Sequence, residues 1–413
     1  MTQSPDDRAG RLAVRTTLLC AAGLTVMAGA TISPSLPALY DHFADVPGVD
    51  VLSRLVLTLP ALFIAICSPV AGLIVDRLGR KPVIVTGAVL YVLGGTTGLY
   101  VDSLMALLAG RALLGIAVAC VMTTTITLIG DYYRGERRNR MMGSMSAFMS
   151  WGGVVFVLLG GAVAELHWRG PFGVYLMALA LLPALVLVLW EPDRRKGPPA
   201  AEGDPDGPPV EGPSDGPARA NWALIALVYF AGFMLNVSFY MVPTQAPFLL
   251  REMGVVAPVI AGVAIAAMNV AGGVGSMQYR HVRARVSAPA VFGLSFGLIA
   301  VGFLGVWGAG GQITFMIALL FTGLGVGLTF PNITNWLMGL APPHLRGRLV
   351  GGTTTSIFLG QFVSPVVSQP MVSALGQAGA FGAMAGIVTV VSLLFWLLAL
   401  REARPKAAVA PGR

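Results

Sequence analysis

Twelve long apolar stretches, each bounded by clusters of Arg, Lys, Asp, Glu, Gly or Pro, constrain this chain more than any other feature. About 20 apolar residues in a helix cross a hydrocarbon core roughly 30 Å thick. The stretches run approximately 16–40, 53–75, 82–101, 104–130, 141–164 and 171–190, then 221–249, 255–278, 287–307, 312–340, 349–373 and 378–400. Two uncharged reaches, Val286–Pro343 and Leu349–Leu400, are too long for one crossing each. Gly308–Gly311 divides the first and Gly376–Gly379 the second. The expected fold is therefore an all-α membrane protein with twelve transmembrane helices. Composition agrees: 55% of residues are apolar and 11% charged, whereas a soluble chain carries about 25% charged residues. The polar surface left over would not cover a water-soluble fold.

The first stretch follows Arg8, Arg11 and Arg15, and Ala28-Gly29-Ala30 imitates a signal-peptide cleavage site. The apolar run continues past that site, so it reads as the first spanning helix. Cys20, Cys67 and Cys120 all lie in apolar runs without pairing or metal-ligand spacing, which makes them small core residues. No metal and no cofactor are expected.

Lys and Arg set the orientation. With the N-terminus inside, 23 of the 27 fall on cytoplasmic segments, and Arg54, Arg169 and Arg251 fall on outer loops. Arg111 lies within a span. The expected topology is multi-pass, with both termini cytoplasmic. The net charge of +8 is spread over many short inner loops, so it is not a nucleic-acid-binding face. Between the sixth and seventh stretches lies EPDRRKGPPAAEGDPDGPPVEGPSDGPARAN, rich in Pro, Gly and acid with little to bury. It reads as a flexible linker. The organisation is then 1–190 (six helices), 191–220 (linker), 221–400 (six helices) and 401–413 (cytoplasmic tail).

The halves look like repeats. In RNRMMGSMSAFMSWGG (138–153), Arg138, Arg140, Gly143 and Gly152 align with Arg346, Arg348, Gly351 and Gly360 of RGRLVGGTTTSIFLGQ (346–361). Same-sense six-helix repeats place a substrate path between the halves.

The second inner loop reads GLIVDRLGRKP. Gly72, Asp76, Arg77, Gly79, Arg80 and Lys81 fill every position of Gly-x-x-x-Asp-Arg-x-Gly-Arg-Lys. On this motif and the span count, the chain resembles transporters of the major facilitator superfamily along all twelve stretches. The resemblance implies that Asp76 and Arg77 make ionic contacts across the inner ends of neighbouring helices and hold the outward-facing state closed inside. Asp131 is a candidate partner for Arg77. Gly72 would let two helices approach closely and Gly79 would supply an unusual backbone angle. Arg80 and Lys81 could equally be anchors of the positive-inside kind.

A second family pattern, Arg-x-x-Gln-Gly, matches at Arg111 and Gly115, with Leu114 in place of Gln. A charge within a span costs at least about 2.5 kcal/mol. Two readings stand for Arg111: a coupling or anion-attracting group facing the bundle interior, or a side chain snorkelling to the outer surface. The exporter branch also carries Gly-x-x-x-Gly-Pro-x-x-Gly-Gly in the fifth span. Gly152, Gly160 and Gly161 keep the small-residue face, but the central Gly-Pro is absent, and the matching proline, Pro365, follows Gly360 in the eleventh span. WRGPF (168–172) resembles the exporter branch.

No Asp or Glu lies deep in a span. Asp41 and Glu165, near outer ends, are the coupling candidates; His42, His167, His281 and His344 read as loop residues. Asn236, Tyr240, Gln245, Asn332, Asn335, Trp336 and Gln361 are the candidate cavity lining, with Pro243 and Pro247 expected to break the seventh helix beside Tyr240 and Gln245. The resemblance implies secondary transport by alternating access, expected to be proton-coupled efflux of drugs or small hydrophobic or amphipathic metabolites across the inner (plasma) membrane of a bacterium. The alternative is a uniporter or importer of a small anion or metabolite with Arg111 as charge anchor. Motifs of membrane enzymes are missing. Expected partners are a small-molecule substrate, protons and the lipid bilayer, with the protein acting as a monomer.

Overall fold

The computed structural model describes residues 12–192, 221–342 and 345–403 of the chain. Arg8, Arg11, His344, most of the expected linker (193–220) and the end of the expected tail (404–413) lie outside the described residues. Among the described residues the elements are helices, with no strand. Eleven helical stretches are long and apolar enough to cross a membrane. They are α1 (Leu12–His42), α2 (Val49–Leu78), α3 (Arg80–Tyr100), α4 (Leu104–Tyr132), α5 (Gly135–Leu166), α6 (Gly170–Leu187), α7 (Trp222–Glu252), α8 (Pro258–Arg283), α9 (Ala288–Trp307), α10 (Gln312–Leu340) and α11 (Arg346–Glu402).

The last of these is 57 residues long, which as one straight helix would measure about 85 Å. It is broken at Gly376, with φ 76° and ψ 174°, a backbone state that glycine enters without a Cβ clash. The break falls inside the Gly376–Gly379 stretch expected from the sequence. α1 departs from expectation. Its regular helix stops at Ala30, Ser33–Ser35 form a tighter turn, and helix resumes over Leu36–His42. Pro34 and Pro37 lack the N–H groups that would carry the ladder through.

α7 corrects a second expectation. Pro243 and Pro247 lie within an unbroken helix. Pro247 has no N–H to offer the carbonyl four residues back, which is that of Pro243. Ser33 Oγ, from the α1 turn, donates to that carbonyl. The two irregularities therefore satisfy each other across the molecule.

Two apolar cores form. One is built from residues of α1–α6, centred on Leu18, Tyr91, Leu114, Phe172 and Tyr175; the other from α7–α11 with Val157 of α5, centred on Phe292, Phe296, Phe303, Phe381 and Phe395. Small residues set the helix spacing, because lipid gives apolar helices little reason to associate except close van der Waals fit. α11 shows this every fourth residue along its contact with α7. Gly352 underlies the Tyr229 ring and Gly360 lies against the Phe233 carbonyl. Ser356 Oγ donates to Tyr229 O at 2.6 Å and Ser364 Oγ to Val237 O at 2.8 Å.

Candidate functional site

The bundle has two ends. The linker end holds the turns α2–α3, α4–α5, α8–α9 and α10–α11 and the end of α6. The far end holds the turns α1–α2, α3–α4, α5–α6, α7–α8 and α9–α10, with the Gly376 break.

The halves touch from mid-bundle to the far end. Ser33 of α1 reaches Pro243 of α7. Arg251 Nη1 donates to Asp41 Oδ2 at 2.6 Å. Arg54 Nε of α2 donates to Gln245 Oε1 of α7 at 2.9 Å. Gly161 of α5 faces α8, where an added Cβ would lie 3.0 Å from Val259 Cα, and Gly262 of α8 faces the Val157 carbonyl of α5 at 2.9 Å. At the linker end, by contrast, a Cβ added at Gly72, Gly143, Gly347 or Gly351 would meet nothing within 4 Å. The close approach expected at Gly72 is therefore absent here.

Above this opening, at mid-bundle, two polar side chains of the second half meet α1. A Cβ at Gly29 would lie 3.0 Å from Tyr240 Oη and 3.6 Å from Gln361 Nε2. Tyr240 is partly exposed and Gln361 is 5% exposed. Glycine at position 29 leaves room for this pair. The other cavity candidates distribute differently. Asn236 donates to the Gly232 carbonyl of its own helix. Asn332 is fully buried within the second half, donating to Ala288 O at 2.9 Å and accepting from Tyr279. Trp336 packs on Phe292 of α9, and Asn335 is exposed. Gln245 is sealed in the far-end seam.

The Gly-x-x-x-Asp-Arg motif lies at the linker end. Gly79 joins α2 to α3 with φ 108°, the left-handed region expected of it. Arg80 Nε donates to Asp131 Oδ2 of α4 at 2.9 Å, and Asp76 Oδ1 lies 3.9 Å from Arg80 Nη2. Asp76, at 72% side-chain exposure, and Arg77 both face solvent. Glu191, which sequence patterns did not single out, caps α3. Its two carboxylate oxygens accept from the backbone N–H groups of Arg80 and Lys81, both at 2.8 Å. A carboxylate suits that position because the first N–H groups of a helix lack partners and carry its positive dipole end. Stacking of Trp190 on Tyr132, with ring centroids 4.0 Å apart, fixes Glu191 in place.

Arg111 is fully buried, which excludes snorkelling. Nη2 donates to Gly95 O of α3 at 3.0 Å, and the guanidinium lies 4.7 Å from the Phe172 ring and 4.9 Å from the Tyr175 ring of α6. It is sealed inside the first half and does not face the cleft. Gly115 packs α4 against Pro60 of α2. In α5, Gly160 lies against the Thr31 carbonyl of α1, while Gly152 meets only Phe156 of its own helix. Pro365, within α11, has no N–H to return to the Gln361 carbonyl. Glu165 is exposed at the far end.

At the far end His42, expected as a loop residue, closes α1. Its Nε2 lies 2.6 Å from Asp102 Oδ1, the oxygen that also accepts from Arg169 Nη2 at 2.8 Å. The His42 bond first, and the Arg169 charge after it, hold the Asp102 carboxyl below its usual range. Arg54 is the larger departure. Placed in an outer loop by its sequence surroundings, it lies inside α2 at 2% exposure. Arg111 is thus not the lone cation within the spans. Among the described residues these two arginines are the buried charges, and no carboxylate is buried.

The Major Facilitator Superfamily model matches residues 18–278 and 228–413, almost the whole chain. The chain belongs to the major facilitator superfamily. Among curated proteins, it is 33% identical over 172 residues to Multidrug resistance protein 1 of Bacillus subtilis (strain 168), covering 41% of each chain. It is 32% identical over 163 residues to Quinolone resistance protein NorB of Staphylococcus aureus (strain JH9), covering 39% of this chain and 34% of that one. These matches span less than half the length of either relative. The fold is shared with a bacterial homolog of the human lysosomal transporter Spinster in an inward-facing, unoccupied conformation, at TM-score 0.75 and 16% identity over 97% of this chain and 98% of that one. A D-xylose–proton symporter aligns at TM-score 0.71 and 15% identity over 93% and 97%. The superfamily is one of membrane transporters, which in general are not enzymes.

Proposed function

We propose that this transporter exports drugs or small amphipathic metabolites from a bacterial cell through its inner membrane, driven by protons, with both termini in the cytoplasm. Two same-sense six-helix halves, residues 1–190 and 221–400, rock about the seam, and the pieces of α11 on either side of Gly376 each cross, making twelve spans. The carrying observation is the seam, hydrogen-bonded from mid-bundle to the far end, with open space beside Gly72, Gly143, Gly347 and Gly351 at the linker end. It leaves the Tyr240–Gln361 pair reachable from one side only, as alternating access requires. The Lys and Arg excess at the linker end supports placing that end in the cytoplasm, so the conformation is inward-open. The two curated relatives, named for drug resistance, support efflux.

The cleft chemistry narrows the solute. A hydroxyl and an amide among apolar walls suit an amphipathic molecule with one or two hydrogen-bonding groups. With no carboxylate buried among the described residues, neutral or anionic solutes are favoured over organic cations. Arg111, sealed away from the cleft, gives no support to anion import.

The linker-end cluster acts as the inner gate. Arg80, held by Asp131 and by the Glu191 cap on its helix, orients the loop, and exposed Asp76, beside Arg80, turns to meet the other half when the linker ends close. Asp131→Asn and Asp76→Asn are expected to fold, insert and lose at least tenfold in turnover, measured as dye efflux from proteoliposomes under an imposed pH gradient. Wild-type turnover in both variants would remove the gate. Efflux that is indifferent to collapse of the gradient would remove proton coupling.

A further inference from the structure

Arg54 answers to none of the family motifs and is the most heavily constrained charge at the seam. The residue is 2% exposed. Nε donates to Gln245 Oε1 at 2.9 Å, Nη1 donates to the Asp50 carbonyl one turn back, and the guanidinium carbon lies 4.0 Å from the centre of the Phe248 ring. Gln245 is itself fully buried and donates through Nε2 to Ser368 Oγ of α11 at 2.9 Å. One cation thus ties α2 of the first half to α7 and α11 of the second. Among the described residues no carboxylate oxygen lies within 4.0 Å of it.

A guanidinium kept dry with no carboxylate in contact, and only the charge of Asp50 one turn back to favour it, is tolerable only while dipoles and a ring face replace its water. Here the amide oxygen and the ring both come from the opposite half. Parting the far end removes both and offers water instead. The neighbouring links are weaker. Asp41–Arg251 is about half exposed on each side, where an ion pair contributes little, and Ser33–Pro243 is a single neutral hydrogen bond.

We propose that Arg54 and Gln245 form the far-end gate. Gln245 makes the charge tolerable in the closed seam, and hydration of Arg54 favours opening once the pair separates. The inference rests on the alternating-access reading above. Its sign is specific. Removing the acceptor alone strands a buried cation and opens the far end, whereas removing cation and acceptor together leaves an apolar seam that stays shut.

The test uses full-length protein in lipid nanodiscs with Cys20, Cys67 and Cys120 replaced by Ala. Spin labels are placed at exposed Leu166 and Val256 for the far end, and at exposed Leu78 and Met277 for the linker end. Pulsed EPR distances give the open-to-closed ratio. Gln245→Leu is expected to raise the far-end ratio at least tenfold. Arg54→Leu with Gln245→Leu is expected to return it to wild type or below and to slow efflux. Unchanged ratios for Gln245→Leu in a protein that otherwise populates both states, or additive effects in the double variant, would overturn the gate alone. A wild type confined to one distance at each end, with and without the dye of the efflux assay and at both acidic and neutral bulk pH, would overturn alternating access and the gate with it.

Discussion

Valine at Gly160 is expected to remove most of the folded transporter from the membrane. A side chain there would run into the Thr31 carbonyl of α1, well inside van der Waals contact. That carbonyl is backbone at the start of the α1 turn, so it cannot rotate away as a side-chain tip can. Overpacking of a core costs typically 1–3 kcal/mol, and with a rigid obstacle about 3 kcal/mol or more is expected, a large share of a total of roughly 5–15 kcal/mol. Gly152→Ala is the matched control on the same helix, since its added methyl would rest 3.5 Å from the Phe156 ring, an ordinary contact. Thermal unfolding followed by size-exclusion chromatography should show Gly160→Val aggregated or strongly destabilised, with Gly152→Ala within a degree or two of wild type. Equal stability for the two would mean that α1 and α5 are not packed as described.

Arg111 should separate stability from turnover. Nη2 has the Gly95 carbonyl, while Nε and Nη1 find no acceptor among the described residues. Such a charge opposes folding. Truncation to Ala would leave a void under Phe172 and Tyr175, at a cost of about 3–5 kcal/mol by analogy with other large buried side chains. Methionine fills a similar volume without the charge, and replacements of that kind are often neutral or stabilising. Arg111→Met is therefore expected to match or exceed wild-type thermal stability and yet lose at least tenfold in efflux. The reason is that a charge held at a cost to stability within a membrane is expected to serve the transport cycle, here through α3 and α6. A stable Arg111→Met variant with normal efflux would reduce Arg111 to a packing residue.

The apolar runs by themselves determined where helices form. α4 and α10 begin at the residues the pattern marks, and the α11 break falls at Gly376, because lipid-exposed backbone has no partner outside a helix. Local motifs likewise placed the linker-end charges, since Gly79, Arg80 and Lys81 are adjacent in the chain and their geometry is set within one turn. Glu191 was not legible there. Its partners Arg80 and Lys81 are 111 and 110 residues away, and no local pattern marks a carboxylate as the cap of a remote helix. Arg54 was misplaced for a related reason. A charge at the head of an apolar run looks like a loop residue, but α2 starts earlier, after left-handed Gly48, and carries Arg54 into the seam. Gln245, 191 residues away, is what makes that position tenable. The chain's own pattern decides which residues must be helical and which charges must lie near an interface. Which end of the bundle is closed, and which buried cation finds its acceptor on the other half, depends on contacts between helices distant in sequence, and only the packed structure decides them.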